Sequence, residues 1–154
     1  MSSGNTFYRY FLNPVMRGLL RSPLHGVTSH NIGIVHFRGR KSGRELSTPL
    51  SYTREGNVVR LLSNQTTRWW VNFRGDNIKA EMEIARQRLP GTAKLLEGDS
   101  EALRDGVCRF IRALPRDAKV YGLKLDANGE VIEESLDAIA SELILVEVTL
   151  EPGQ

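Results

Sequence analysis

The sequence predicts a mainly β (α+β) domain, a small antiparallel barrel with a few peripheral helices. Three observations carry this. About six to eight short apolar or alternating runs are separated by turn signals rather than by long helices. No strand–helix–strand rhythm recurs, and no glycine-rich strand-to-helix fingerprint is present, which argues against a doubly wound parallel sheet. An antiparallel sheet of this size must close on itself or cover its edges, and a barrel does so most economically. With 154 residues, 40% hydrophobic and 25% charged, the chain suits one domain with a real core. We expect a single domain over 1–154, with 1–25 as an N-terminal helical segment.

The elements follow in order. Residues 5–21 are amphipathic: Phe7, Phe11, Val15 and Leu19 recur every four residues. Asn13 before Pro14 reads as a cap and first position, which divides the segment into two short helices. From residue 32 the period changes. IGIVHF, then ELSTPLSYT, then VVRLLS after an EGN turn at 55–57 predict a meander of three strands. Thr66 and Thr67 are cap candidates for a short helix carrying Trp69, Trp70 and Phe73. Ile78, Ala80, Met82 and Ile84 alternate with Lys79, Glu81 and Glu83, so 78–89 is expected as a strand. LPGT then reads as a turn, with TAKLLE as the partner strand. Residues 99–114 predict a helix capped by Asp99 or Ser100, with Leu103, Val107, Phe110, Ile111 and Leu114 on its apolar stripe. Cys108 in that helix reads as packing rather than chemistry. KVYGLKLD-ANG-EVI predicts a hairpin, SLDAIASE a short helix, and LILVEVTLE a closing strand.

Composition excludes several classes. No run of about 18 apolar residues is present, so no membrane-spanning helix is expected. Arg9, Arg17 and Arg21 interrupt any signal-peptide apolar core. A single cysteine forms no internal disulfide, and His25, His30 and His36 follow no metal-site spacing. We expect a cytoplasmic protein without a metal. The net charge of +3 hides an asymmetry: residues 1–74 hold 11 Lys and Arg against 2 Glu, or +9, while 75–154 hold 10 against 16 acids, or −6. The basic half suits an anionic partner, either a phosphate-bearing cofactor, a nucleic acid or an anionic membrane; a merely solvated basic face explains the charge equally well. Nucleic acid is disfavoured, since aromatics are not interleaved with the basic residues as stacking requires. The apolar face of 5–21, flanked by arginines, fits either an interfacial helix touching a membrane or a cover packed on the barrel.

The densest basic stretch is FRGRKSGRE. Gly39 and Gly43 permit positive φ, so the backbone can turn tightly and point amides outward. Lys41 supplies a point charge, Arg40 a planar fork, Ser42 a hydroxyl. These parts suit a phosphate or carboxylate. They also suit a hairpin tip kept soluble by its charges.

The order GRKSGRELSTPLSY, EGNVVRLLSN, RWWVNFRG resembles the deazaflavin (coenzyme F420)-dependent nitroreductase family of split β-barrel oxidoreductases. Gly39, Arg40, Lys41, Ser42 and Gly43 match its first block; Thr48, Pro49, Leu50 and Tyr52 its second; Ser63 its third. Trp69, Asn72 and Arg74 match the last, with Trp70 and Phe73 where tyrosine and leucine are usual. NPVMRGLLRSPLHG is similar to the family's N-terminal helix. The resemblance covers about residues 10–75 and is looser beyond.

What the resemblance implies is an FMN-binding-like split barrel that transfers a hydride between reduced F420 and a small electron-poor organic substrate. It makes Arg40, Lys41, Ser42, Gly43, Pro49, Leu50, Ser63, Asn64, Trp69, Trp70 and Asn72 the cofactor-binding residues, with the 39–43 turn at the phosphate end and the Ser63-to-Trp70 loop near the ring. FMN is the second choice of cofactor, and split barrels pair as homodimers. Nitroreducing members carry several tyrosines after the helix; here only Tyr121 stands there. It is either a proton donor or a core residue, and its isolation leaves the substrate class open. Rival readings are a non-catalytic cofactor or lipid carrier, or an FMN or haem binder of the same fold.

Overall fold

The computed structural model describes residues 31–152; the helical segment expected at the N-terminus lies outside them. Strands β1 (Ile32–Arg38) and β2 (Glu45–Ser51) form a hairpin in register from Ile32↔Ser51 to Arg38↔Glu45. A second hairpin joins β3 (Thr53–Glu55) to β4 (Val58–Asn64), and a third joins β5 (Ile78–Ile84) to β6 (Gln87–Glu97). Helix α1 (Glu101–Ala113), the 3-10 helix η2 (Pro115–Tyr121) and helix α2 (Glu133–Ile139) precede β7 (Leu143–Leu150). A shorter 3-10 helix, η1 (Trp69–Phe73), links β4 to β5.

The seven strands form one sheet in the order β2-β1-β5-β6-β7-β4-β3, with every ladder antiparallel. β2 and β3 occupy its two edges, yet only Tyr52 separates them in sequence. Two residues of extended chain span about 7 Å at most. The sheet therefore curls until its edges meet at Tyr52, whose N–H donates to the Asn31 carbonyl at 2.8 Å and whose ring is buried. This corrects the three-strand meander. β2 does not pair with β4, because the kink at Tyr52 sends the chain across to the opposite edge.

Two cores result. Inside the barrel lie Val35, Phe37, Val59, Leu61, Met82 and the inward residues of β7. Outside it, Leu62, Leu143 and Leu145 pack under Leu103, Val107, Phe110 and Ile111 of α1. β7 has both faces covered, so its apolar run is continuous rather than alternating. Ser100 is the cap of α1, its side chain accepting from the Leu103 N–H at 3.1 Å.

Three local expectations are corrected. LPGT is not a turn. The hairpin closes at Ile84↔Gln87, where Ala85 and Arg86 take φ of 52° and 69°, a two-residue loop of the primed kind without glycine. Pro90 and Gly91 instead answer to packing: a Cβ on Gly91 would lie 2.6 Å from the Thr149 carbonyl. The hairpin expected around ANG shrinks to one bridge, Leu125↔Val131. Lys119 to Tyr121 join η2 instead, because Pro115 starts that turn and Ala118 packs beside Leu123 under α1. Neither Thr66 nor Thr67 caps η1; Arg68 holds the cap position without a side-chain bond.

Candidate functional site

Alternating antiparallel ladders make β4 run opposite to β2. The end of β4 at Ser63 and Asn64 thus lies on the side where β2 begins at Glu45. No ladder joins these strands, so a seam runs between them, closed at Tyr52 and open toward the 39–44 turn. Pro49, lacking an N–H, sits in β2, where an edge strand tolerates it.

The turn differs from a simple amide cradle. Gly43 takes φ 70° as expected, but Gly39 does not adopt positive φ; it is needed because a Cβ there would meet the Ser42 hydroxyl at 2.8 Å. The Gly39 N–H donates to the Arg44 carbonyl and the Gly43 N–H to the Gly39 carbonyl, both at 3.0 Å. The Arg44 N–H donates to the Ser42 hydroxyl at 3.1 Å. Most amides are spent holding the turn's own shape. Among the described residues, the Lys41 and Ser42 N–H groups remain uncommitted.

Its cations are a different matter. Arg60, Arg74, Arg88, Arg104, Arg109 and Arg112 each hold a carboxylate at 2.6–3.1 Å. Arg38 spends one donor on the Gly43 carbonyl, and neither it nor Arg40, Lys41 or Arg44 has a carboxylate partner among the described residues. All four side chains belong to exposed residues. Four cations within seven residues, none neutralised by a carboxylate, give this turn the chemistry to receive an anion.

The turn is fixed to the barrel's open end. The Arg40 N–H donates to Asn72 Oδ1 at 2.9 Å, and Asn72 Nδ2 donates to the Trp69 carbonyl at 2.9 Å. Trp69 and Trp70 are 2% and 4% exposed, so both belong to the core rather than to an exposed wall. Trp69 meets Phe73 edge-on, with ring centroids 5.9 Å apart, and Phe73 meets Phe37 of β1 at 5.0 Å. Trp70 Nε1 donates to the carbonyls of Thr67 at 2.8 Å and Asn64 at 3.2 Å. Ser63 is buried and shares a 2.6 Å hydrogen bond with the Thr67 hydroxyl. Arg40, Asn72, Trp69, Trp70, Asn64 and Ser63 therefore form one connected rim. Lys41, Ser42 and Gly43 project from it. Leu50 faces the barrel core.

Tyr121 stands apart from the rim. Its hydroxyl donates to the Leu62 carbonyl at 2.8 Å, and its ring packs against the outer core. On the same 3-10 helix, buried Asp117 lies 3.7 Å from Arg116. Burial raises its pKa above the usual carboxylate value. The sequence reading missed Asp117; a carboxylate directly after Pro-Arg in a supposed loop carried no periodic signal. Thr48 is a further feature of β2: it is 1% exposed and its hydroxyl has no partner among the described residues, an arrangement that costs about 1–3 kcal/mol when unfilled. Burial also raises the pKa of the Cys108 thiol, which suits packing rather than nucleophilic chemistry.

A cavity of about 300 Å³ lies elsewhere, between β3, β4 and α1. Of its arginines, Arg60, Arg109 and Arg112 are neutralised by Glu55, Glu147, Asp105 and Glu130. Among the described residues, no helix is long and apolar enough to cross a membrane.

Comparison with known proteins bears on this geometry. No curated protein matches the sequence. A solved domain-swapped dimer is 17% identical, with a TM-score of 0.54 over 90% of this chain and 96% of the other. An F420-H2 dependent reductase, FDR-A, is also 17% identical, with a TM-score of 0.53 over 77% and 93%. A heme binding protein from Mycobacterium smegmatis is 15% identical, at 0.54 over 81% and 48%. These likenesses establish the split-barrel fold. The profile of the F420H(2)-dependent quinone reductases matches residues 22–114, from before β1 through the end of α1. The turn, the rim and six of the seven strands lie within that match, so the chain belongs to the F420H(2)-dependent quinone reductase family and is a reductase whose hydride donor is reduced F420.

Proposed function

We propose that the protein reduces a quinone, or a similarly flat electron-poor acceptor, in the seam between β2 and β4. The observation that carries this is the uncompensated cation cluster at Arg38, Arg40, Lys41 and Arg44, docked on η1 through Asn72 within the family match. The residues fit an anionic cofactor. Arg40, Lys41 and the Lys41 and Ser42 amides would hold its phosphate end. The rim from Ser63 and Asn64 to Asn72 supports the ring side, with Gly43, Pro49 and Leu50 shaping the approach. When bound, reduced F420 supplies the hydride, and the protein's share is orientation and exclusion of water. Buried Trp69, Trp70 and Phe73 fill the barrel core beneath the rim with apolar rings. As a proton source for the acceptor, Tyr121 must first exchange its bond to the Leu62 carbonyl. That favours a holding role over donation.

The test is a titration of the purified protein with F420, FMN and haem side by side, followed by turnover of a quinone with reduced F420. We expect micromolar or tighter F420 binding, preferred over FMN, and quinone-dependent oxidation of the cofactor. Tighter FMN or haem binding sinks the cofactor assignment; F420 binding without turnover leaves a carrier. A homodimer belongs to the same proposal, supported by the similar fold solved as a domain-swapped dimer. Light scattering should then give twice the 17.3 kDa chain mass, and a monomeric mass refutes it.

A further inference from the structure

η1 is braced at three places. At β4, Trp70 Nε1 donates to the carbonyl of Asn64, the last residue of that strand, at 3.2 Å. At the β1–β2 turn, Asn72 Oδ1 accepts from the Arg40 N–H at 2.9 Å. At β6, Arg74, which directly follows η1, grips Glu97, the last residue of that strand. The grip is bidentate: Arg74 Nε donates to Glu97 Oε2 and Nη2 to Oε1, each at 3.0 Å. The same guanidinium lies over the Trp70 ring, 5.2 Å from its centroid. β4 and β6 flank β7, and their ends pair with Leu143 and Ile144 at its start. η1 therefore connects that side of the sheet to the turn between β1 and β2. The phosphate end of the proposed site and its ring end both attach to this one short helix.

We propose that Arg74 and Glu97 are positioning residues: their ion pair fixes η1, and so holds the 39–44 turn in register with the Ser63–Asn64 rim. A planar fork on a carboxylate fixes direction as well as distance, which a lysine in the same place does not. Glu97 holds the fork along one edge, and the Trp70 ring supports its face. The indole is itself anchored by its bonds to the Thr67 and Asn64 carbonyls. Asn72 lies between Trp70 and Arg74 in the chain, so the amide that docks Arg40 is presented from a segment held on both sides. The side chains of Arg74 and Glu97 are 46% and 34% exposed, which leaves the pair a small share of global stability. Its effect is on placement. A cofactor gripped at its phosphate end presents its ring correctly only if the turn keeps its place, and hydride transfer is steep in that placement.

This proposal rests on the quinone-reductase reading, so its test has an arm that needs no cofactor. The variants are Arg74→Gln, Glu97→Gln, the two combined, and the charge-keeping Arg74→Lys, each in the full chain. Amide hydrogen exchange should rise by about 3- to 10-fold in 39–44 and 68–74 for the glutamine variants, with α1 and β7 unchanged. Arg74→Lys should fall between them and wild type. Melting temperatures should stay within about 4 °C of wild type, the scale of a half-exposed ion pair. In the second arm, the protein is loaded with reduced F420 and mixed with a one-ring benzoquinone. The single-turnover rate of cofactor oxidation should fall by about 3- to 10-fold, while the F420 Kd holds within about two-fold. Unchanged exchange in the turn overturns the clamp. Exchange raised throughout the barrel, with a clear fall in melting temperature, reduces the pair to ordinary stability and also overturns it. Effects that add in full in the double variant show that the two residues do not act as a pair. Raised turn exchange with an unchanged single-turnover rate overturns the role in positioning. If wild type binds F420 but fails to oxidise it, the functional reading falls while the exchange arm still decides the clamp.

Discussion

Replacing Trp69 with alanine is expected to cost about 3–5 kcal/mol of unfolding free energy, the range for a large aromatic removed from a packed core. The indole is 2% exposed, and its edge contact to Phe73 continues to Phe37, so three aromatic rings hold the barrel's open end. No neighbour is free to collapse into the space, because Phe73 is itself fully buried and β1 is fixed by ladders on both sides. Typical domains have about 5–15 kcal/mol in total, so the variant retains a fraction of its stability or none. At about 2–4 °C per kcal/mol for a chain of this length, the melting temperature should fall by roughly 6–20 °C. Urea unfolding and calorimetry measure both quantities, with Trp69→Phe as a control that keeps most of the volume. A Trp69→Ala protein that melts with wild type would show that η1 does not plug the barrel. The same substitution reaches the site, since the Trp69 carbonyl anchors the Asn72 amide that holds Arg40.

Lys41→Ala should separate binding from stability. Lys41 lies exposed at the tip of the β1–β2 turn and has no carboxylate partner among the described residues. Its removal should change stability by about 0.5 kcal/mol or less. If its ammonium pairs with the cofactor's phosphate, the loss is about 1.5–3 kcal/mol, or about 10- to 100-fold in Kd. The turn's backbone should survive, because its shape is held by the bonds from Gly39, Gly43 and Arg44 and not by Lys41. Higher salt should shrink the difference, since an exposed ion pair is screened. Isothermal titration at low and high ionic strength, with melting curves for both proteins, measures each term. An equal Kd with an equal melt would leave the cluster a solvated hairpin tip.

Much of this architecture was legible in the chain. The strand runs of β1, β4 and β7, the Ser100 cap and the apolar stripe of α1 follow from period and cap chemistry alone. The alternation over 78–84 correctly indicated a strand although its composition equally suits a helix. The turn at 85–86 was hidden because Ala and Arg rarely take positive φ, while the neighbouring Pro-Gly gave a louder, false signal whose real cause is the close approach of β7. Lys119 to Tyr121 looked extended on side-chain types, but Pro115 and burial under α1 wound them into η2. At the site, the residue types in GRKSG suit an anion or a solvated tip alike, and the sequence does not show that the turn's amides mostly hold one another while its cations stay without carboxylate partners among the described residues. Tyr121 and Leu62, 59 positions apart, carry no shared sequence pattern; the packing of η2 beside β4 brings them together.

The one-residue junction at Tyr52 also bears on how the chain folds. Ladders between β1 and β5 or β4 and β7 join residues far apart in sequence: His36 and Glu83 are 47 positions apart, Arg60 and Glu147 are 87. Such pairings must close long loops before any contact rewards them, which slows folding toward the millisecond-to-second range of β-rich domains. The seam carries no such delay. Since β2 passes into β3 through a single residue, the two hairpins that form the sheet's edges are neighbours from synthesis onward. The slow search is left to β7, which must insert between β6 and β4 after nearly the whole chain has emerged. Until it does, both of those strands present an open edge to other chains, and the window for aggregation closes only with the last strand.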